Sequence, residues 1–214
     1  MRPSALAQTF RHSMLIVVAA LFAIPIYLAF VAATHPAADL INGVPLVPSG
    51  QLVSNMSTVL IKGLPGSPPV WSMMANSAVM ALGITVGKLL LSIPAAYAVA
   101  FFRFPGRMFA FWLIFITLML PIEVRFFPTY KVTADFGLLD SFGGLILPLI
   151  ASATATFLFR EFFMTFPVEL ADAARLDNAG PLRFLWSIVL PLSRSNLAAI
   201  FVLEFVYGWN QYLW

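Results

Sequence analysis

Cysteine is absent from this chain of 214 residues, and His12 and His35 are its only histidines. The absence of cysteine excludes disulfides, thiol catalysis and cysteine-ligated metal sites. The two histidines lie on opposite sides of the first apolar run, which argues against a zinc enzyme. No paired carboxylates or histidine cluster mark a catalytic centre at a membrane surface. We therefore expect no catalytic residue, no metal site and no cofactor.

Charge is also scarce, since only 10% of the residues are charged while 61% are hydrophobic and the mean hydropathy is +0.92. An average soluble domain is far less apolar. A chain of this size could not bury so much apolar surface in water, so lipid must be its main solvent. The composition predicts an all-α, polytopic membrane protein. We interpret the net charge of +3 as a sign of topology and expect no nucleic-acid partner.

Five apolar runs are candidate membrane spans. The first, Ser13–Ala33, contains no charged residue and is too long for the apolar part of a signal peptide. At about 1.5 Å per residue it covers roughly the 30 Å of a bilayer core. The other predicted spans are Met74–Phe102, Met108–Leu120 with a possible extension to Phe127, Phe142–Phe159, and a last one that starts near Asn196.

Proline and glycine are concentrated in residues 34–70, which predicts an extramembrane loop with one short helix around 51–61. The last apolar run continues to Trp214, so we expect the chain to end inside a helix. We treat residues 1–214 as a single transmembrane domain.

The basic residues are distributed unevenly between the two sides of these spans. One side holds eight of the twelve: Arg2, Arg11, Arg103, Arg107, Arg160, Arg175, Arg183 and Arg194. Loops rich in lysine and arginine stay in the cytoplasm. We therefore expect a cytoplasmic N-terminus, a periplasmic loop at 34–70 and a cytoplasmic loop at 160–194.

The cytoplasmic loop contains residues 169–191, the one strongly polar segment of the chain. A helix is predicted over Val168–Asp177, because Pro167 and Glu169 suit a helix start. Asn178–Pro181 breaks this helix, and Pro181 begins a second one. Small alanines beside a charged rim indicate a surface that another protein approaches closely. An ordinary solvated loop is the alternative.

A glycine pair occurs in the second span, where Gly83 and Gly87 precede Lys88 and Leu89. The spacing is one residue too short for a phosphate-binding loop, and Leu89 replaces the Ser or Thr that must hold magnesium. Within an apolar helix the same glycines favour close helix packing. We therefore expect no nucleotide-binding loop in this chain.

Ionisable groups inside predicted spans are costly and mark functional or paired positions. Lys88 and Glu204 are the two of this kind. Lys88 either attracts an anionic substrate or pairs with a neighbouring helix. Arg125 either steers a phosphate at the outer mouth or anchors the interface, and Trp209 and Asn210 either line the path or belong to an aromatic belt.

The polar loop resembles the cytoplasmic loop of binding-protein-dependent ABC importer permeases. That family has a Glu-Ala-Ala triplet, three residues, a glycine, nine residues and Ile-x-Leu-Pro. Here Asp172-Ala173-Ala174, Asn178 and Ile188-Val-Leu190-Pro191 match every interval. Two positions depart from the pattern, but aspartate keeps the charge and asparagine tolerates a left-handed turn.

Residues 114–125, 151–160 and 207–214 further resemble the sn-glycerol-3-phosphate permeases of this family. The resemblance implies the MetI-like fold, with five of six expected spans visible, in a multi-pass protein of a bacterial inner membrane. It implies a sister permease subunit, two copies of a cytoplasmic ABC ATPase and a periplasmic solute-binding protein. The chain itself would be a transport subunit, not an enzyme, that moves sn-glycerol-3-phosphate or its diesters into the cytoplasm.

The resemblance implies the first of two sets of functional residues, and the charged and aromatic groups in or near the predicted spans give the second. The residues expected to couple the permease to the ATPase are Glu169, Ala171, Asp172, Ala173, Ala174, Arg175, Asp177, Asn178, Ala179 and Gly180. Those expected along the substrate path are Lys88, Arg125, Trp209 and Asn210. Two alternatives remain, namely a sugar or polyol permease of the same family and an ion-coupled secondary transporter, which should show internal repeats and acid/His relays.

Overall fold

The computed structural model describes residues 5–117, 120–212 and 214, and all regular structure in these residues is helical. The chain divides into two compact units, Met1–Ala75 and Asn76–Trp214. The helical content agrees with the all-α fold expected from the composition.

The first unit contains α1 (Ala5–Ala33) and α2 (Leu52–Ser57), which continues as a π-helical turn over Thr58–Lys62. The short helix expected around 51–61 is thus confirmed. Asn55 Nδ2 donates to the backbone oxygens of Ala33, at 3.0 Å, and His35, at 2.8 Å. Carbonyls at a helix end have no partner within the helix, so the asparagine fixes α2 to the end of α1.

The remaining helices are numbered along the chain. They are α3 (Val70–Phe101), α4 (Arg107–Ile116), α5 (Ile122–Asp135), α6 (Phe142–Ile146), α7 (Ala153–Phe163), α8 (Val168–Leu176), α9 (Pro181–Phe184), α10 (Leu190–Leu192) and α11 (Arg194–Trp209). A π-helical segment, Leu185–Val189, joins α9 to α10.

Two helices are long and apolar enough to cross a bilayer, namely α1 from Gln8 and α3. Two further helix pairs qualify only as broken spans, with a bend of 46° between Phe142–Leu149 and Ala153–Phe163 and of 80° between Pro181–Leu192 and Arg194–Trp209. The third predicted span appears as α4, which has only ten residues. The described residues thus give two to four spans, and five stays a prediction.

The expectation that the chain ends inside an apolar helix is wrong. Helix α11 ends at Trp209, and the side-chain amide of Asn210 donates to the Val206 oxygen in the last turn. Trp214 lies beyond the helix, where its indole Nε1 donates to the Gly144 oxygen at 2.9 Å. A polar side chain that bonds to its own backbone competes with helix continuation, which the hydropathy of the run does not reveal.

Helix α3 is packed closely by its neighbours in the second unit. A Cβ atom on Gly83 would lie 2.5 Å from Ile146 Cδ1, and one on Gly87 would overlap Ile150. The glycine pair therefore serves close packing, as expected for this motif in an apolar helix. The buried positions of α3 recur every three or four residues: Ala81, Ile84, Thr85, Lys88, Ser92, Ala96, Tyr97 and Val99. This spacing places Lys88 in the middle of a buried helical stripe.

Candidate functional site

A buried ion pair joins α3 to α11. Lys88 Nζ donates to Glu204 Oε2 at 2.7 Å, and the two side chains are only 6% and 2% exposed. Glu204 lies one turn from Ile200 and one turn from Gly208 on the buried face of α11. Gly208 permits this approach, since a Cβ atom there would be 3.1 Å from Ala81 Cα on α3.

Each charge of the pair has a second partner. Ser152 Oγ donates to Glu204 Oε1 at 3.0 Å, and Lys88 Nζ lies 3.7 Å from the centre of the Tyr207 ring. Removing two charges from water costs several kcal/mol per ion, and a buried pair needs such additional contacts to be tolerated. The cluster of Lys88, Glu204, Ser152 and Tyr207 is called the polar cluster below.

Ser152 lies in the break between α6 and α7, where it takes part in four further hydrogen bonds. Its Oγ accepts from the Ala155 N–H at 3.1 Å as the N-cap of α7. Its backbone oxygen accepts from the hydroxyl and the N–H of Thr156 and from the hydroxyl of Ser92. Non-helical backbone at membrane depth is tolerated only where protein or a water-filled cavity surrounds it. The break between α6 and α7 therefore lies beside a cavity, and the Ser152 hydroxyl is part of the lining of that cavity.

Two adjoining cavities open onto the polar cluster. The larger has a volume of about 260 Å³ and is lined by Lys88, Thr117, Arg125, Ala151, Ser152, Ala153, Thr154, Leu203, Glu204 and Tyr207. The smaller, of about 70 Å³, shares Lys88, Arg125, Ala151 and Tyr207 and reaches Trp214. The charged groups of the larger lining are two cations and one carboxylate. This excess of positive charge favours an anionic ligand.

The structure brings together only some of the residues expected along the substrate path. Lys88 and Arg125 line both cavities. Trp209 packs on Phe205, with ring centres 5.9 Å apart, and Asn210 bonds to its own helix; neither is among the described residues that line the cavities.

The alternative that Lys88 pairs with a neighbouring helix is confirmed, but the sequence analysis did not identify Glu204 as its partner. Lys88 and Glu204 each stand out as ionisable groups inside apolar runs, and their opposite signs were the available signal that they pair. No sequence signal marked Ser152 and Tyr207, because serine and tyrosine are common in membrane helices.

The polar loop forms a helical hairpin of α8 and α9, with one face packed on the chain's own core. Ala174 is buried, and Ala171 and Ala179 pack partly against the same cluster, which includes Phe163 and Phe184. This differs from the expectation that the small alanines face a partner protein. Their size instead lets α8 approach the core closely. Among these alanines, only Ala173 is exposed.

Asn178 ends α8 in a left-handed conformation, with φ of 51°. The Asn178 N–H donates to the Arg175 oxygen at 3.1 Å and the Ala179 N–H to the Ala174 oxygen at 2.8 Å. These two bonds form the Schellman motif, in which glycine is the usual left-handed residue. Asparagine thus occupies the glycine position of the family pattern in the backbone conformation that the pattern requires.

The outer face of this hairpin mixes charge with exposed apolar side chains. Glu169, Asp172, Arg175, Asp177 and Asn178 are exposed, and Arg175 pairs with Asp172 at 2.8 Å. Leu176 is 85% exposed, Leu182 72% and Trp186 68%. Large apolar side chains without cover from the rest of the chain indicate an interaction surface. We call this face, formed by the exposed side chains of residues 168–186, the docking face.

The hairpin is tied to the transmembrane helices by one hydrogen bond and a group of aromatic rings. Tyr97 Oη, in α3, donates to the Pro181 oxygen at the start of α9, at 2.9 Å. Phe184 meets Phe101 edge-on with ring centres 5.4 Å apart, and Phe101 contacts Phe163 of α7. The docking face is therefore in direct contact with α3, the helix that carries Lys88.

No group of three or more His, Asp or Glu side chains that could hold a metal ion occurs in the described residues.

Comparison with known proteins agrees with this geometry. Residues 88–214 match the family model described as "Binding-protein-dependent transport system inner membrane component". The chain is 56% identical over 207 residues to the sn-glycerol-3-phosphate transport system permease protein UgpE of Salmonella choleraesuis (strain SC-B67), and 54% identical to that of Escherichia coli O1:K1 / APEC. Each alignment covers 96% of this chain and 74% of the relative.

A solved structure shares the fold. The bacterial ABC transporter involved in the import of the acidic polysaccharide alginate superposes with a TM-score of 0.83 over 99% of this chain and 74% of that chain, at 24% sequence identity. The region matched by the family model holds both the polar cluster and the docking face. The chain therefore belongs to the inner membrane components of binding-protein-dependent transport systems.

Proposed function

We propose that the chain is the permease subunit of an ATP-driven importer that moves sn-glycerol-3-phosphate or its diesters from the periplasm to the cytoplasm. The observation that carries the substrate class is the cavity lined by Lys88 and Arg125, with Glu204 as its only carboxylate among the described lining residues. The name of the relatives supports the same choice. Family membership removes the ion-coupled secondary transporter, because transport in this family depends on a binding protein.

The charge of the cavity suits a phosphate ester better than a neutral sugar. A phosphate monoester carries about −1.5 to −2 charges at neutral pH. The larger cavity places two cations against one carboxylate, which attracts such an anion without enclosing it. Weak binding is required, because a substrate held by many arginines would not be released.

The docking face is the proposed contact with a cytoplasmic ATPase, two copies of which would serve this chain and a sister permease subunit. The coupling residues are the exposed ones, Glu169, Asp172, Ala173, Arg175, Asp177, Asn178 and Gly180, while Ala171, Ala174 and Ala179 hold the hairpin to the core. ATP binding and hydrolysis would change the contacts of this face, and the aromatic group would carry the change to α3.

The proposed topology follows from the charge distribution. The N-terminus and residues 160–194 lie in the cytoplasm, and residues 34–70 face the periplasm, where a solute-binding protein delivers the substrate. Residues 1–214 act together as the transmembrane permease domain.

The test is uptake by the complete transporter in proteoliposomes. We expect import of sn-glycerol-3-phosphate at the expense of ATP, with little import of a neutral disaccharide. Lys88→Met should lower this uptake at least about tenfold, since a buried glutamate without its partner costs several kcal/mol. Lys131→Met is the matched control, because Lys131 is exposed on α5 and is not among the lining residues of either cavity. Import of the disaccharide without the phosphate ester would contradict the proposed substrate.

A further inference from the structure

Lys88 already holds an anion in this structure. Its ammonium donates to Glu204, and the larger cavity is lined by both residues of the pair. A phosphate that enters this cavity therefore finds Lys88 already bound to the carboxylate of Glu204. The ammonium has three N–H donors and gives one of them to Glu204, so the substrate either shares Lys88 with a carboxylate that repels it or replaces Glu204.

Replacement leaves neither member of the pair without a partner. Glu204 Oε1 keeps the hydrogen bond from Ser152, and Ser152 itself is fixed as the N-cap of α7. Lys88 keeps the face of Tyr207. The usual penalty of breaking a buried pair is an uncompensated buried charge. The arriving phosphate would compensate the charge of Lys88 but not that of Glu204, for which Arg125, the second cation of the cavity lining, is the remaining counter-charge.

Arg125 decides which anion can make the exchange. It lines the same cavity and forms no ion pair within the part of the chain that the structure describes. A phosphate has several oxygens and can engage Lys88 and Arg125 together, whereas Glu204 pairs with Lys88 alone. A neutral polyol gains nothing from either cation and leaves the pair intact.

We propose that Glu204 is a specificity-determining residue that occupies Lys88 in the absence of substrate and gives way to a phosphoryl oxygen of the substrate. No covalent bond forms or breaks in this exchange. The pair joins α3 to α11, so its opening loosens the contact of α3 with α11 only when a phosphorylated solute is present. This inference rests on the proposed function, because it takes the cavity as the substrate path.

The first test measures binding to the assembled permease and ATPase complex without the solute-binding protein, whose own affinity would mask the site. In Glu204→Gln the competing carboxylate is gone, so sn-glycerol-3-phosphate and inorganic phosphate should bind more tightly. The expected gain is about tenfold if the Lys88–Glu204 pair is open in roughly a tenth of the wild-type molecules. Glycerol, the neutral analogue, should bind no better. The maximum uptake rate in the complete transporter should fall, because the amide cannot recapture Lys88 and expel the substrate. Glu123→Gln, an exposed change on α5, is the matched control.

The second test separates exchange from a pair that merely holds the helices together. Lys88→Met combined with Glu204→Gln leaves no unpaired buried charge, so a static pair predicts restored uptake. Exchange predicts that the double variant assembles, binds phosphate at least about tenfold more weakly than the wild type and imports the ester slowly. If Glu204→Gln alone does not assemble, the uptake and phosphate affinity of the double variant still distinguish exchange from a static pair.

The outcomes of the two proposals differ. Unchanged phosphate affinity in Glu204→Gln, or normal uptake by the double variant, overturns the exchange while wild-type uptake of sn-glycerol-3-phosphate still supports the proposed function. A wild-type transporter that imports no phosphate ester overturns the proposed function itself.

Discussion

Asn178 shows how one residue can determine the shape of the docking face. Its left-handed backbone ends α8 and turns the chain toward α9, while its N–H and that of Ala179 satisfy two carbonyls at the helix end. Among residues with a side chain, asparagine is one of the few that adopt this conformation readily.

Substitution of Asn178 should distinguish backbone conformation from side-chain chemistry. Asn178→Gly should import normally, because glycine accepts a positive φ without strain. Asn178→Pro should abolish uptake, since proline fixes φ near −65° and removes the N–H that bonds to Arg175, at a cost of about 3 kcal/mol or more. Uptake and ATP hydrolysis by the assembled transporter measure both effects. A normal rate in the proline variant would show that the turn is not needed for coupling.

Two neighbouring alanines should respond to the same substitution in different ways. Ala174→Arg places a charge in the chain's own aromatic core and should reduce the amount of folded subunit in the membrane. Ala173→Arg changes an exposed position, so the subunit should fold and bind its sister while association with the ATPase is lost. Co-purification of each variant with the ATPase and with the sister subunit gives the comparison. Equal behaviour of the two variants would contradict the assignment of faces on α8.

At the scale of elements, α3 links the two parts of the site. Its middle carries Lys88, and its end carries Tyr97 and Phe101, which contact the hairpin of α8 and α9. A helix that connects a ligand cavity to a docking surface can pass a displacement from one to the other, provided that it has two arrangements.

The bond between Tyr97 and the Pro181 oxygen can be removed with little loss of packing. Tyr97→Phe keeps the aromatic contacts and deletes one hydrogen bond, worth about 1 kcal/mol. We expect ATP hydrolysis to continue while the number of substrate molecules imported per ATP falls. Tyr130→Phe is the control, because the Tyr130 hydroxyl has no hydrogen-bond partner among the described residues. An unchanged ratio in Tyr97→Phe would show that this bond does not transmit movement.

The elements differ in how far their sequence predicts them. Residues 5–33 and 70–101 form long helices because their apolar runs continue through Pro25 and Pro94, and hydropathy therefore finds them. The break at Ser152 escapes prediction, since two of the side chains that bond to it, Ser92 and Glu204, lie 60 and 52 residues away along the chain. The buried face of α8 was predicted wrongly, because a short alanine-rich helix does not reveal which of its faces packs against the rest of the chain.

At the scale of the whole molecule, the absence of cysteine makes the topology directly testable. Ser49 and Ser195 are both exposed and lie in segments expected on opposite sides of the membrane. A single cysteine at Ser49 should react with an impermeant thiol reagent from the periplasm, and one at Ser195 only after the cytoplasmic side is opened. The reason is the excess of basic residues on the side of Ser195. Reaction of the Ser49 cysteine from the cytoplasm alone would reverse the proposed orientation.

During synthesis of the chain, the two charged residues of the polar cluster leave the ribosome at different times. Lys88 and Glu204 are 116 residues apart, which at about 5–20 residues per second puts roughly 6–23 s between their emergence from the ribosome. Until α11 arrives, a lysine near the middle of α3 has no carboxylate, and an unpaired charge at the bilayer centre costs at least about 2.5 kcal/mol. Helix α3 therefore carries an unpaired lysine until α11 has been made, so we expect the polar cluster to form late in assembly.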